Sequence, residues 1–354
     1  MFVRPKILFI LKRREDYSPV AHNPKGLSTG LFNSASYVEQ MLYKSFIDAV
    51  VEVAIDNNCI DKLVTKHKPT HVVIEALWVV PSKFAELVPL HPKVKWIVRL
   101  HSEMPFMAGE GMAMNWLGDY TSYKQVDIGV NAPRMLDEIR TYLRIKNKWD
   151  KKTTERRVAY LPNYYPQNYV NKKYNSKKEY VDIACFGAIR PLKNHLLQAF
   201  AAIKFAEKID KKLRFHVNGG RLEMKGDPIL HNLKGLFMQL AGTGYELVIH
   251  EWSSREEFLK LCSQMDIGMQ CNFSETFNIV SADLISQGVP IVGSKEIPWG
   301  YGYYNADPTD SNNICNVLYK TYLYPERNVY LNQNCLTKYT NKTRKIWLKY
   351  LNII

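Results

Sequence analysis

Val181-Asp182-Ile183-Ala184-Cys185-Phe186-Gly187, then a helical stretch from about Asn194 to Ile209, then Leu213-Arg214-Phe215-His216-Val217-Asn218-Gly219-Gly220 read as strand, helix and strand. The first run is short, apolar and closed by glycine, as a strand buried on both faces is. The cadence continues downstream. A helix near 229–241 leads to the strand Glu246-Leu247-Val248-Ile249-His250, and a helix at 254–264 leads to Ile267-Gly268-Met269-Gln270-Cys271. A helix from about Asn278 to Gln287 then closes on Val289-Pro290-Ile291-Val292-Gly293. Upstream, Lys6–Leu11, His71–Leu77, Val94–Leu100 and Asp127–Asn131 read as strands, with helical spacing from about Ser34 to Ala54 and a helix through Tyr142. Strand and helix in alternation predict parallel sheets covered by helices on both faces.

Residues 146–180 are rich in Lys, Asn and Tyr, hold Pro162 and Pro166, and show little apolar periodicity, which marks an interdomain connection. The predicted fold class is therefore α/β, with two doubly wound Rossmann-like domains. The first spans 1–165 and is joined by a basic amphipathic helix at 339–354; the second spans 178–335. A length of 354 residues agrees, since one core stops growing well below that size. Ligands of such domains sit beyond the carboxyl ends of the strands, so a cleft between the two is the expected site.

Apolar residues make up 46% of the chain and charged residues 23%, ordinary for a globular enzyme and unlike a disordered or collagen-like chain. The apolar run at 6–11 is too short for a signal-peptide core, and no apolar stretch reaches the length of a membrane span. A cytoplasmic protein is expected. Cys59, Cys185, Cys262, Cys271, Cys315 and Cys335 lie far apart, as reduced thiols do and disulfide frames or zinc sites do not.

The formal charge of +14 is unevenly spread. Residues 139–178 carry twelve Lys or Arg against Asp150 and Glu155, and 338–349 adds five basic residues and no acid. Such blocks suit a polyanionic partner, nucleic acid or an anionic membrane surface; a solvated face that maintains solubility is the plainer alternative.

Chemistry concentrates at Ser274-Glu275-Thr276-Phe277-Asn278-Ile279. Glu275 lies in the loop after a strand, and Thr276 to Ile279 open the next helix. Free N–H groups and the positive end of the helix dipole make such an opening a ready diphosphate site. Asp283 falls more than a turn inside, where a carboxylate can grip a vicinal diol such as ribose.

Glu275-x7-Asp283 followed by Gly288-Val289-Pro290 resembles the donor-site signature of GT-B glycosyltransferases, especially the retaining family 4 type. Phe186-Gly187-Ala188-Ile189-Arg190-Pro191-Leu192-Lys193-Asn194 is similar to the phosphate loop of the same family, and Leu161-Pro162-Asn163 resembles the Pro-Asn turn that ends its N-terminal domain. Two departures stand out: Asp283 replaces a glutamate and Asn194 a glycine. The resemblance implies that Arg190 and Lys193 clamp the donor diphosphate, that Gly187, Thr276, Phe277, Asn278, Ile279 and Asp283 bind the nucleotide sugar, and that Glu275 and His101 belong to the catalytic set. A fixed Arg, a Lys and a helix N-terminus would stabilise the departing diphosphate without a metal, and no Asp-x-Asp pair suits a divalent cation. The donor implied is a UDP-sugar, used as co-substrate with no permanently bound cofactor. Transfer of a hexosyl or pentosyl group with retention is implied, and no covalent carboxylate intermediate. Glu103 and Glu110 flank His101 as possible general bases. Arg13 and Arg14 follow the first strand, and Gly26–Gly30 reads as a flexible loop or a plain turn.

Two acceptors fit. Size, basicity and Lys/Asn/Tyr-rich texture resemble phage-encoded GT-B enzymes that modify DNA. Hydroxymethylated pyrimidine in DNA would be flipped toward the cleft while the basic 140–178 region lies along the phosphates, in the host cytoplasm. Alternatively, a membrane-associated transferase of surface polysaccharide or lipid-linked glycan would rest its C-terminal helix (Trp347, Tyr350, Leu351, Ile353, Ile354) on anionic lipid. A non-catalytic sugar-nucleotide-binding protein is a third reading, against which the joint presence of Arg190, Lys193 and Glu275 argues.

Overall fold

The computed structural model describes residues 4–13, 29–175 and 177–353. Two compact units are present. One comprises the chain up to Pro166, apart from a short stretch near the N-terminus, together with Thr340–Ile354; the other comprises Gln167–Tyr339.

The first unit runs β1 (Lys6–Lys12), α1 (Thr29–Tyr43), β2 (Asp48–Ala54), α2 (Cys59–His67), β3 (His71–Glu75), α3 (Phe84–Leu90), β4 (Lys95–Leu100), α4 (Met104–Met107), α5 (Ala113–Tyr120), β5 (Val126–Val130), α6 (Pro133–Asn147), α7 (Lys151–Arg157) and β6 (Val158–Tyr160). Its six-stranded sheet has the order β2-β1-β3-β4-β5-β6, and every pairing is parallel. The two-residue period of the strands divides the core. Leu8 and Ile10 join Val72, Ile74, Trp96 and Val98 on one face, while Ile7, Phe9 and Leu11 join Val73 and Ile97 on the other.

Two expectations are corrected here. The helical stretch 34–54 is α1, a turn and then β2; the turn is made at Phe46, whose φ of 61° ends the helix. Asp48-Ala-Val-Val-Glu-Val-Ala fits either period by its apolar residues, and its valines favour the pleated sheet once a parallel partner is present. Residues 146–160 are not connection. Asp150 caps α7 by accepting from the Thr153 N–H at 2.7 Å, and β6 then pairs with β5. Gly30 belongs to α1, while Arg14 and Gly26–Ser28 lie outside the described residues.

The second unit runs β7 (Tyr180–Ala184), α8 (His195–Lys208), β8 (Lys212–Asn218), α9 (Gly226–Gln239), β9 (Tyr245–His250), α10 (Arg255–Gln264), β10 (Ile267–Gln270), α11 (Ile279–Ser286), β11 (Ile291–Gly293), α12 (Ser311–Leu323) and the start of α13 (Pro325–Tyr350). Its five parallel strands have the order β11-β10-β7-β8-β9, so the winding reverses between β7 and β10. The core centres on Ile183, Phe205, Phe215 and Val217.

The last turns of α13 belong to the first unit, where Trp347, Leu348 and Leu351 are buried against the face carrying Phe9. Trp347 also donates its indole N–H to the Pro162 carbonyl at 2.9 Å. The apolar side of the C-terminal helix is therefore core, which corrects the expectation that it rests on lipid; Ile354 lies outside the described residues. Among the described residues no helix is long and apolar enough to cross a membrane.

The basic stretch has a definite place in each unit. α6 carries the chain back from the carboxyl ends of the strands over about 22 Å. Residues 144–157 consequently lie where β6 begins, at the strands' amino ends. In the second unit Lys172 donates to the Ser263 carbonyl at 2.8 Å and Tyr174 to that of Gly288 at 2.6 Å, beside the entries to β10 and β11. Neither part follows the carboxyl ends where α/β ligands sit.

Candidate functional site

Within the second unit, the two loops leaving β7 and β10 at the reversal point meet over α11. Gly187 has φ +111°, a conformation that L side chains rarely adopt, and donates its N–H to Asn218 Oδ1 at 2.9 Å. Ile189 donates its backbone N–H to the Arg221 carbonyl and accepts from the Glu223 N–H, both at 3.0 Å, which fixes the loop's outer limb. Arg190 follows. Its guanidinium reaches Glu223 Oε2 at 3.2 Å, while Arg221 holds Oε1 of the same carboxylate at 2.7 Å. Two arginines on one carboxylate leave a net positive charge beside the loop.

Pro191–Lys193 form a 3-10 turn, and Asn194 enters α8 at φ 56°. This left-handed conformation explains why asparagine can stand in for glycine here. Its side-chain amide also donates to the carbonyls of Cys271 (3.1 Å) and Pro308 (2.7 Å), bonds that glycine could not make. Lys193 is turned inward onto Glu275, and both side chains are nearly buried. Burial lowers the Lys193 pKa; the Glu275 carboxylate works against that and Arg190 adds to it.

Glu275 Oε1 also accepts from Asn272 Nδ2 at 2.7 Å and Asn278 Nδ2 at 3.2 Å. α11 opens at Ile279, with Thr276 and Phe277 ahead of it rather than within it. Asn278 (φ 59°) is its N-cap and accepts from the Ser281 N–H at 2.8 Å, leaving the Ile279 and Val280 amides at the helix mouth. Phe277 is buried against Trp299 and Tyr339, so it anchors the loop from below. Asp283 is 1% exposed and is gripped by both terminal nitrogens of Arg255. It is not the open carboxylate that ribose reading pictured; the half-buried Arg255 is the polar group presented there.

In the first unit a buried polar cluster closes the ends of β3 and β4. Arg99 and Glu75 are fully buried and paired at 3.1 Å. Arg99 donates onward to the Leu161 carbonyl at 2.9 Å and to Asn163 Oδ1 at 2.5 Å, so the Pro162-Asn163 turn is tied to the end of β4. His101 Nε2 bonds Glu75, and its Nδ1 lies 3.4 Å from Asn131 Nδ2. Burial lowers the His101 pKa, with Arg99 adding to the effect and Glu75 opposing it. Glu103 is held by Arg134 at 2.5 Å, while Glu110 is exposed. Arg13 is exposed at the end of its described segment. Among the described residues no three His, Cys, Asp or Glu side chains group as a metal site.

No protein-family model matches the sequence, and no curated protein matches it. Solved structures do. The catalytic domain of starch synthase IV from Arabidopsis thaliana, bound to ADP and acarbose, superposes with a TM-score of 0.67 at 8% identity, covering 99% of this chain and 100% of that one. A UDP-forming trehalose-phosphate synthase from Burkholderia xenovorans gives 0.65 at 11% identity, over 98% and 99% of the two chains. Anabaena HepE in complex with UDP gives 0.62 at 10% identity, over 99% and 100%. The chain has the GT-B fold.

On this GT-B frame, Gly187, Arg190, Lys193, Glu275, Asn278 and Ile279 come together at one reversal point, while His101 belongs to the first unit. Reading the sequence missed Glu223, Arg221, Asn218 and Arg255. The one available signal was position, since each lies in or beside a loop or strand end next to the recognised motifs.

Proposed function

We propose that this chain is a retaining glycosyltransferase that takes its sugar from a UDP-linked donor. One observation carries the reading. The Gly187 loop, the Arg190 guanidinium and the mouth of α11 converge at the reversal point between β7 and β10, beside the buried Lys193–Glu275 pair. Backbone N–H groups and an arginine fixed by Glu223 suit a diphosphate, whose charge grows as the bond from the anomeric carbon to phosphate oxygen breaks. The acceptor oxygen forms the new bond on the face the diphosphate leaves, and its proton passes to the departing phosphate or to water. His101 is assigned by resemblance to the donor sugar, acting as a neutral imidazole whose orientation Glu75 and Asn131 set.

As acceptor we favour a glycan hydroxyl over hydroxymethylated pyrimidine in DNA. The DNA reading relied on the basic residues of the 140–178 region running beside the reacting end of the fold, and residues 144–157 and Lys172 lie at the strands' amino ends of their units.

Arg190→Ala is the direct test. Arg221 remains to partner Glu223, so the fold should survive with its melting temperature little changed. Turnover of a UDP-sugar should fall by a factor of about 100 to 1,000, as when one preorganised donor is lost. An unchanged rate removes the diphosphate clamp, and NMR showing an inverted anomeric centre in the product removes retention.

A further inference from the structure

We propose that the amino-terminal edge of the first unit's sheet is a docking face for an anionic lipid bilayer. Every strand of that sheet is entered past an exposed basic residue. Arg4 precedes β1, Lys44 precedes β2, Lys68 precedes β3, Lys93 precedes β4, Lys124 precedes β5 and Lys152 precedes β6. The strands are parallel, so all six entries lie along one edge, and neighbouring strands are about 4.8 Å apart. The result is a basic strip about 24 Å long. Residues 144–156 thicken its β6 end, with six Lys or Arg against Asp150 and Glu155. Of the acids at this edge, Asp48 pairs with Lys6 and Asp127 is buried against Lys95 and Arg157, while Asp119, Asp150 and Glu155 are exposed and outnumbered by the basic residues.

Charge alone would suit any polyanion. Apolar exposure decides between them. Phe46 is 83% exposed in the turn entering β2, Tyr43 is 71% exposed just before it, and Ile145 is 69% exposed in the last turns of α6. These side chains stand at opposite ends of the strip, next to its lysines. An isoleucine gains nothing from a phosphate backbone and cannot stack on a base as an aromatic ring can. The acyl boundary of a bilayer buries all three while headgroups meet the lysines. The edge bearing Glu75 and His101 is the opposite one, so docking would leave it facing water.

This inference does not rest on the transferase reading, because vesicle binding needs neither donor nor turnover. The test is co-sedimentation of the full chain with phosphatidylcholine vesicles, with and without phosphatidylglycerol. Binding is expected on the anionic vesicles alone, weakening as salt rises. Lys151→Gln, Lys152→Gln and Arg156→Gln together should lower the partition coefficient about 100-fold, at about fivefold per charge removed. Phe46→Ser with Ile145→Ser should weaken binding at constant charge. All five positions are exposed, so both variants should retain the parent melting temperature and UDP-sugar turnover. A chain that stays in the supernatant overturns the proposal, as does a serine variant that sediments like the parent. Binding to duplex DNA in place of vesicles, unaffected by the serines, would assign the strip to nucleic acid and overturn it equally.

Discussion

His195 is the first residue of α8, one position past the turn that holds Lys193 and Asn194, and it is 1% exposed. Neither ring nitrogen has a hydrogen-bond partner among the described residues. Burial, with Lys193 and Arg190 adding to it, pushes its pKa from 6.5 down to about 3. The neutral ring suits a loop that already holds several charges, since a buried imidazolium there would be costly. Stability follows from the sign of the shift. Between pH 3 and 6.5 the unfolded chain binds a proton that the folded chain refuses, so stability rises with pH across that window and is lost on acidification. From pH 6.5 down to 4 this residue should remove about 3 kcal/mol. Urea midpoints of the parent and of His195→Leu, followed over that range, check it. The Leu variant should show the shallower curve, and parallel curves would exclude His195 as the source.

At the scale of elements, α13 carries the clearest consequence. Its last turns place Trp347 against Phe9 at 6.0 Å between ring centroids and Arg99 over the indole at 5.4 Å. Trp347→Ala should cost about 3–5 kcal/mol, as large core truncations do, whereas Lys349→Ala should stay within about 0.5 kcal/mol. Equal urea midpoints for the two variants would return the helix to the surface. The same helix shows what a sequence conveys. Its amphipathic spacing was legible, but whether the apolar side meets lipid or a sheet was not, because that depends on the sheet face formed by Ile7, Phe9 and Leu11 more than 300 residues earlier. The strands of the second unit were legible because each is a short apolar run between turn residues. β2 was not, since Asp48–Ala54 satisfies two periods, and β6 is only Val158–Tyr160 between a charged helix and the irregular stretch that leads to β7. Arg190, Lys193 and Glu275 stand in local motifs and could be read directly. Glu223 and Arg255 acquire their partners through neighbouring strands and helices, so spacing alone could not assign them.

At the scale of the whole molecule, the charge and the chemistry separate. The six basic entries line one edge of the first unit's sheet, while Gly187, Arg190 and the mouth of α11 stand at the carboxyl ends of the second unit's strands. Each unit buries its own core: Phe9, Trp96 and Trp347 in the first, Phe205 and Phe215 in the second. A UDP-linked donor held by residues of the second unit should therefore stabilise that unit by mass action, by about 2.7 kcal/mol at a hundredfold excess over its Kd. Amides of β7 and β8 that exchange only by opening that unit should then exchange up to about 100-fold more slowly, while those of β1 and β3 keep their rates. Peptide-resolved hydrogen exchange with and without UDP reads both sets in one experiment. Arg190→Ala should abolish the slowing at β7 and β8 and leave the ligand-free pattern intact. Equal protection of β1, β3, β7 and β8 would mean that the nucleotide does not act through the second unit alone, and no protection at the β7 and β10 loops would take the diphosphate out of the reversal point.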